Sequence, residues 1–146
     1  MDGRIATAEV DIDALPDDVW FALTDAAAMR RYMFGAVVES DWRAGSPIRW
    51  SGEYEGRPFE DHGEVLEASP GRLLRYTHVT PARDGRPESV HEVRIALEGV
   101  DDVGTRVTLA QDGNGSEDAC RHAARNWKKM LDGLKLLVEQ KRPSPL

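Results

Sequence analysis

The chain has 146 residues, 31% of them charged and 40% hydrophobic, with a formal net charge of −7 and an isoelectric point near 5.1. That length fits one domain, expected over residues 1–141 with a tail at 142–146, and buries roughly 68% of its unfolded surface. The acidic balance argues against nucleic acid, whose phosphates call for a basic surface. The absence of an apolar run long enough to span a bilayer or to serve as a signal-peptide core argues against a membrane segment, so a cytoplasmic location is expected.

From Arg4 to Asp13, Ile5, Val10 and Ile12 stand among polar residues, which predicts a first strand whose inward face Ala6 and Ala8 leave undecided. Pro16 suits the first turn of a helix, with Val19, Trp20, Ala22 and Leu23 as its buried side. Asp25 is a natural N-cap for a second helix from Ala26 to Phe34, which Gly35 ends.

The pattern then changes to short strands between turns, the signature of an antiparallel meander. Strands are predicted at Val37 to Trp42, Pro47 to Tyr54, Phe59 to Ala68, Arg72 to Val79, Ser89 to Leu97 and Thr105 to Gln111. Ala44-Gly45, Gly56-Arg57-Pro58, Pro70-Gly71, Asp84-Gly85 and Asp101-Asp102 supply the reversals. Gly113-Asn114-Gly115 reads as the turn that releases the last strand.

Ser116 to Gln140 forms one amphipathic helix, roughly 37 Å long at the usual rise per residue. Ser116 caps it, Lys141 and Arg142 suit its negative end, and Pro143 stops it. Its apolar stripe runs through Cys120, Ala123, Ala124, Trp127, Met130, Leu131, Leu134, Leu137 and Val138. Cys120, the single cysteine, makes no internal disulfide and is expected to be a small buried hydrophobe.

Three segments, IDALPDDVWFALTD, DHGEVLEASPGRLLRYTH and GTRVTLAQDG, together with Trp127, Leu131 and Leu134, resemble the activator of Hsp90 ATPase homologue 1-like branch of the START-like (SRPBCC) helix-grip superfamily. The resemblance runs from about Ile5 to Gln140. It implies an α+β fold in which an antiparallel sheet of about seven strands curls around the long C-terminal helix, with two short helices after the first strand. Two departures stand out: Tyr32-Met33-Phe34-Gly35 replaces a frequent Trp-Trp-Gly, and His78 replaces a frequent tryptophan. Tyr32, Met33 and Phe34 are either core or an adaptable pocket rim.

The superfamily leaves a cavity between sheet and helix. Candidates to line it and bind a ligand are Trp50, Val65, Leu74, Tyr76, His78, His91, Val93 and Ile95, with Val107 and Leu109, from the sheet, and Trp127, Met130, Leu131 and Leu134 from the helix. If the hairpin pairs Leu74 with Ile95, Tyr76 with Val93 and His78 with His91, all six share one face. Two facing imidazoles would resist charging together and would anchor a ligand carbonyl, hydroxyl or carboxylate, or act as acid and base. Zinc would need a third ligand, with Glu53, Asp61 and His62 as candidates, and is not expected.

No nucleophile motif, phosphate loop or dinucleotide fingerprint is present, so no catalytic residue and no cofactor is assigned. Three functions remain open: binding of a small hydrophobic or aromatic molecule, a polyketide cyclase or dehydratase-like reaction using His78, His91 or Tyr76, and, from the family resemblance alone, stimulation of an Hsp90-type chaperone. The expected partner is a small hydrophobic molecule, with a homodimer left open.

Overall fold

Strict alternation decides which side of the first strand turns inward. In the computed structural model, which describes residues 3–82, 85 and 87–140 and only the backbone of Tyr54, β1 (Arg4–Ile12) buries Ala6, Val10 and Ile12, while Ile5 lies on the outer face. Ala8 is half-buried against the same core.

Pro16 opens α1 (Pro16–Thr24), which buries Val19, Ala22 and Leu23 and leaves Trp20 half-buried. Asp25 caps α2 (Ala26–Tyr32), its carboxylate accepting the Ala28 N–H at 2.9 Å. The second helix stops at Tyr32, short of the expected Phe34. Phe34 (φ 57°) and Gly35 (φ 82°) both enter the left-handed region, and the Gly35 N–H bonds the Arg30 carbonyl at 3.0 Å. This turn throws Phe34 outward, 76% exposed, although Tyr32 beside it is buried.

The meander follows as β2 (Val37–Ser40), β3 (Pro47–Tyr54), β4 (Arg57–Ser69), β5 (Leu73–Thr80), β6 (Ser89–Val100) and β7 (Gly104–Asn114). All pairings are antiparallel, in the order β1-β7-β6-β5-β4-β3-β2. Several strands outrun their predicted ends. Glu55 and Gly56, both at positive φ, make the β3–β4 turn, so Arg57 and Pro58 belong to β4. Pro58 lies past the last β4–β5 pair, His62 with Val79, where a missing N–H breaks no bond to β5. Gly113 and Asn114 likewise stay in β7, with Asn114 opposite Arg4, and only then does the chain leave the sheet.

Ser116 caps α3 (Glu117–Gln140) by accepting the Ala119 N–H at 3.0 Å. The stripe is unequal along its length. Met130, Leu131, Leu134, Leu137 and Val138 are buried, whereas Cys120, Ala123, Ala124 and Trp127 are only half-buried. Cys120 is therefore half-buried and not the buried hydrophobe its position predicts.

The same helix covers the outer edge of β1. Lys128 and Lys135 donate from Nζ to the carbonyls of Glu9 and Asp11 at 2.9 and 2.7 Å, and Glu139 accepts the Asp13 N–H at 2.8 Å. These bonds occupy backbone groups that another strand would otherwise pair with. No helix among the described residues is long and apolar enough to cross a membrane. Asp84 of the expected Asp84-Gly85 turn, the helix-ending Lys141, Arg142 and Pro143, and the tail at 142–146 lie outside the described residues.

Candidate functional site

The β5–β6 hairpin adopts the register expected of it: Leu74 opposite Ile95, Tyr76 opposite Val93, His78 opposite His91. The first two pairs are buried and the histidines, two pairs from the Thr80–Ser89 end where the strands connect, are half-buried. Where the hairpin and β7 reach past the packed half of α3, a cavity of about 580 Å³ remains, roofed by the first half of the helix and rimmed by Met33 and Phe34.

His78, His91, Val93, Trp127 and Met130 line this cavity. Trp50, Val65, Leu74, Tyr76, Ile95, Leu131 and Leu134 do not; none is more than 4% exposed, and all belong to the core, as do Val107 and Leu109. They lie in the packed layer shared by the sheet and the buried second half of α3, Trp50 behind the His78 ring that forms part of the wall. Burial also pushes the Tyr76 phenol well above its ordinary value, so it stays protonated near neutrality.

The cavity wall has polar members that sequence reasoning missed. Gln111 continues the inward alternation of Val107 and Leu109, so carrying that alternation two residues further would have found it. Its Oε1 accepts the indole N–H of Trp127, and its amide NH₂ makes no hydrogen bond among the described residues. His122 and Asn126, one helical turn apart on α3, bond each other at 3.2 Å and also face the cavity. Their signal was weak, because both stand where the helix would be read as its solvent side.

Each hairpin histidine has its own partner, so the imidazoles are not simply a facing pair. His91 Nδ1 lies 2.8 Å from the Asp112 carbonyl oxygen. A carbonyl only accepts, so Nδ1 carries the hydrogen, and Nε2 of the neutral ring is an acceptor. His78 Nε2 lies 2.9 Å from Asp61 Oδ2, which Thr80 Oγ1 approaches at 3.5 Å. The His78 ring stacks on Trp50 with centroids 4.1 Å apart and planes 4° from parallel. Gly63 makes room for this stack: a Cβ there would meet the Thr77 carbonyl oxygen at 1.8 Å and the Trp50 ring at 3.2 Å. The Trp50 indole N–H is buried with no partner among the described residues.

No carboxylate, lysine or arginine is among the described residues that line the cavity, whereas three of the chain's four histidines are. No group of three His, Cys, Asp or Glu side chains is arranged to hold a metal among the described residues. A second cleft, of about 700 Å³, lies at the β2–β3 end of the sheet against Thr24 and Trp42. Its one guanidinium, Arg49, is already engaged by Glu39 at 2.8 Å and Glu60 at 3.4 Å, which leaves the histidine-lined cavity as the better candidate.

The sequence profile of the family described as activator of Hsp90 ATPase homolog 1-like protein matches residues 13–139. The chain belongs to this family. The solution structure of ChR145 from Cytophaga hutchinsonii is 36% identical, with 97% of this chain and 98% of that one covered and a TM-score of 0.80. Protein MLL2253 from Mesorhizobium loti is 20% identical, with 96% and 100% covered and a TM-score of 0.83. The Aha1 dimer from Colwellia psychrerythraea is 18% identical, with 96% and 98% covered and a TM-score of 0.74. A search of curated proteins gave no match. This member of the Hsp90 ATPase activator-like family thus has the helix-grip fold of its structural neighbours, with a seven-stranded antiparallel sheet, two short helices after β1 and a long C-terminal helix.

Proposed function

We propose that this protein binds a small hydrophobic or aromatic molecule in the cavity between the first half of α3 and the β5–β7 end of the sheet. The observation that carries the reading is the division of α3: its stripe is buried from Met130 onward but half-buried before it, over a cavity of about 580 Å³. That volume is typical of small-molecule sites, which run from about 300 to 1,000 Å³. Val93, Ala123, Trp127 and Met130 supply apolar wall, and Met33 at the rim adapts to ligand shape.

The test is a fluorescence titration with an apolar naphthalene probe, for which affinity on the order of micromolar is expected. Ala123→Trp, which places an indole in the cavity from a half-buried position, should weaken binding at least about tenfold, a loss of about 1.4 kcal/mol. Unchanged binding in a folded Ala123→Trp protein would place the probe elsewhere and refute the reading.

A second reading rests on the His78–Asp61 contact, since an imidazole held by a carboxylate at a cavity wall is a common acid–base arrangement. On this cyclase-like reading, Asp61→Asn should abolish turnover of a bound substrate without abolishing its binding. The Hsp90 reading draws only on the family description and the Aha1 dimer among the neighbours. Stimulation of a purified Hsp90 ATPase by the full chain would support it, and no stimulation at saturating chain would remove it.

A further inference from the structure

Resting on the cavity reading, we infer that the occupant is an uncharged aromatic molecule carrying a hydroxyl group that donates to His91 Nε2. Three observations converge. The described lining has no Lys, Arg, Asp or Glu to neutralise a charged ligand, and burying an uncompensated charge is costly. The Asp112 carbonyl takes the Nδ1 hydrogen of His91, so the nitrogen left for a ligand is an acceptor in the neutral ring. That atom repels a carbonyl or carboxylate oxygen and attracts an O–H.

The third observation is Gln111. Its oxygen is taken by Trp127, which leaves the amide NH₂ as a donor in the same cavity. Gln111 lies opposite Val93 on β7, two residues along from the His91 position, so the pair are diagonal neighbours across the β6–β7 ladder. Such neighbours sit roughly 7–8 Å apart, within reach of long side chains. A hydroxyl answers both, because its O–H donates to the imidazole and its oxygen accepts from the amide. The aromatic frame then lies toward Trp127, Met130 and Val93.

Titrating the purified full chain with naphthol, its methyl ether and naphthoate tests this. Naphthol should bind about tenfold more tightly than the ether, which cannot donate; this is the size of one net neutral hydrogen bond. Naphthoate should bind most weakly. His91→Phe should bring naphthol down to the affinity of the ether and leave the ether unchanged. Equal binding of naphthol and ether by the unaltered chain, a preference for naphthoate, or a naphthol preference that survives His91→Phe would overturn the inference while the cavity reading stands. If no probe binds, the cavity reading itself falls and this inference with it. The unaltered chain and the three probes decide the matter even if His91→Phe does not fold.

Discussion

Raising the pH past 10 should unfold this protein along a slope set by two buried phenols. Tyr32 is 5% exposed and donates its hydroxyl hydrogen to the Ala22 carbonyl at 2.7 Å. Burial first, then the fields of Tyr76 and Asp25, push its pKa well above the ordinary value, and burial does the same for Tyr76. Below pH 10 both phenols are protonated in the folded and unfolded chains, and the stability tied to them is fully present. Above pH 10 the unfolded chain releases both protons and the folded chain keeps them, so the unfolded state binds fewer protons and stability falls as pH rises. Each group loses about 1.4 kcal/mol per pH unit, about 2.7 kcal/mol for the pair, against a total stability of about 5–15 kcal/mol. Urea unfolding at steps between about pH 9 and pH 11 measures the slope. Tyr76→Phe keeps the ring and deletes one of the two phenols, so it should fold at neutral pH and halve the phenolic part of the slope. Lysine titration is common to both proteins and cancels in the difference. An identical slope in Tyr76→Phe, or two phenols of the folded protein ionising near pH 10 by tyrosinate absorbance, would refute the reasoning.

Trp50→Phe removes a buried N–H that has no partner along with part of a core ring, two effects of opposite sign, so its stability should stay within about 1 kcal/mol of the original. Trp50→Ala should cost about 3–5 kcal/mol in chemical denaturation, and an equal loss in both variants would show that the indole N–H is satisfied in solution. Removing the chain from Ser116 onward uncovers the apolar face of the sheet and the edge of β1, so residues 1–115 should not fold; a soluble fragment with a cooperative melt would contradict this.

Element order and type were legible because they depend on local signals: Pro16 and Asp25 at helix starts, Ser116 at the last cap, and period-two alternation along the strands. The hairpin register was legible for a related reason, since a one-residue slip would turn Leu74, Tyr76, Val93 and Ile95 to the wrong face. Strand ends were less so. Pro58 and Asn114 read as turn residues, and only their place past a neighbour's end or opposite Arg4 makes them strand.

By itself, then, the sequence determined the order of elements, the faces they bury and the family, all properties that each segment carries along its own length. Tertiary structure alone decided which half of α3 presses on the sheet, and so why Leu131 and Leu134 are core while Trp127 and Ala123 face a cavity, although all four belong to one stripe. It also decided that His78 meets Asp61 and that His91 meets the carbonyl of Asp112. The physical reason is that a helical period specifies a direction but not a distance. How far a helix stands from a sheet depends on every side chain between them, and the tautomer of a histidine depends on the atom that happens to face it.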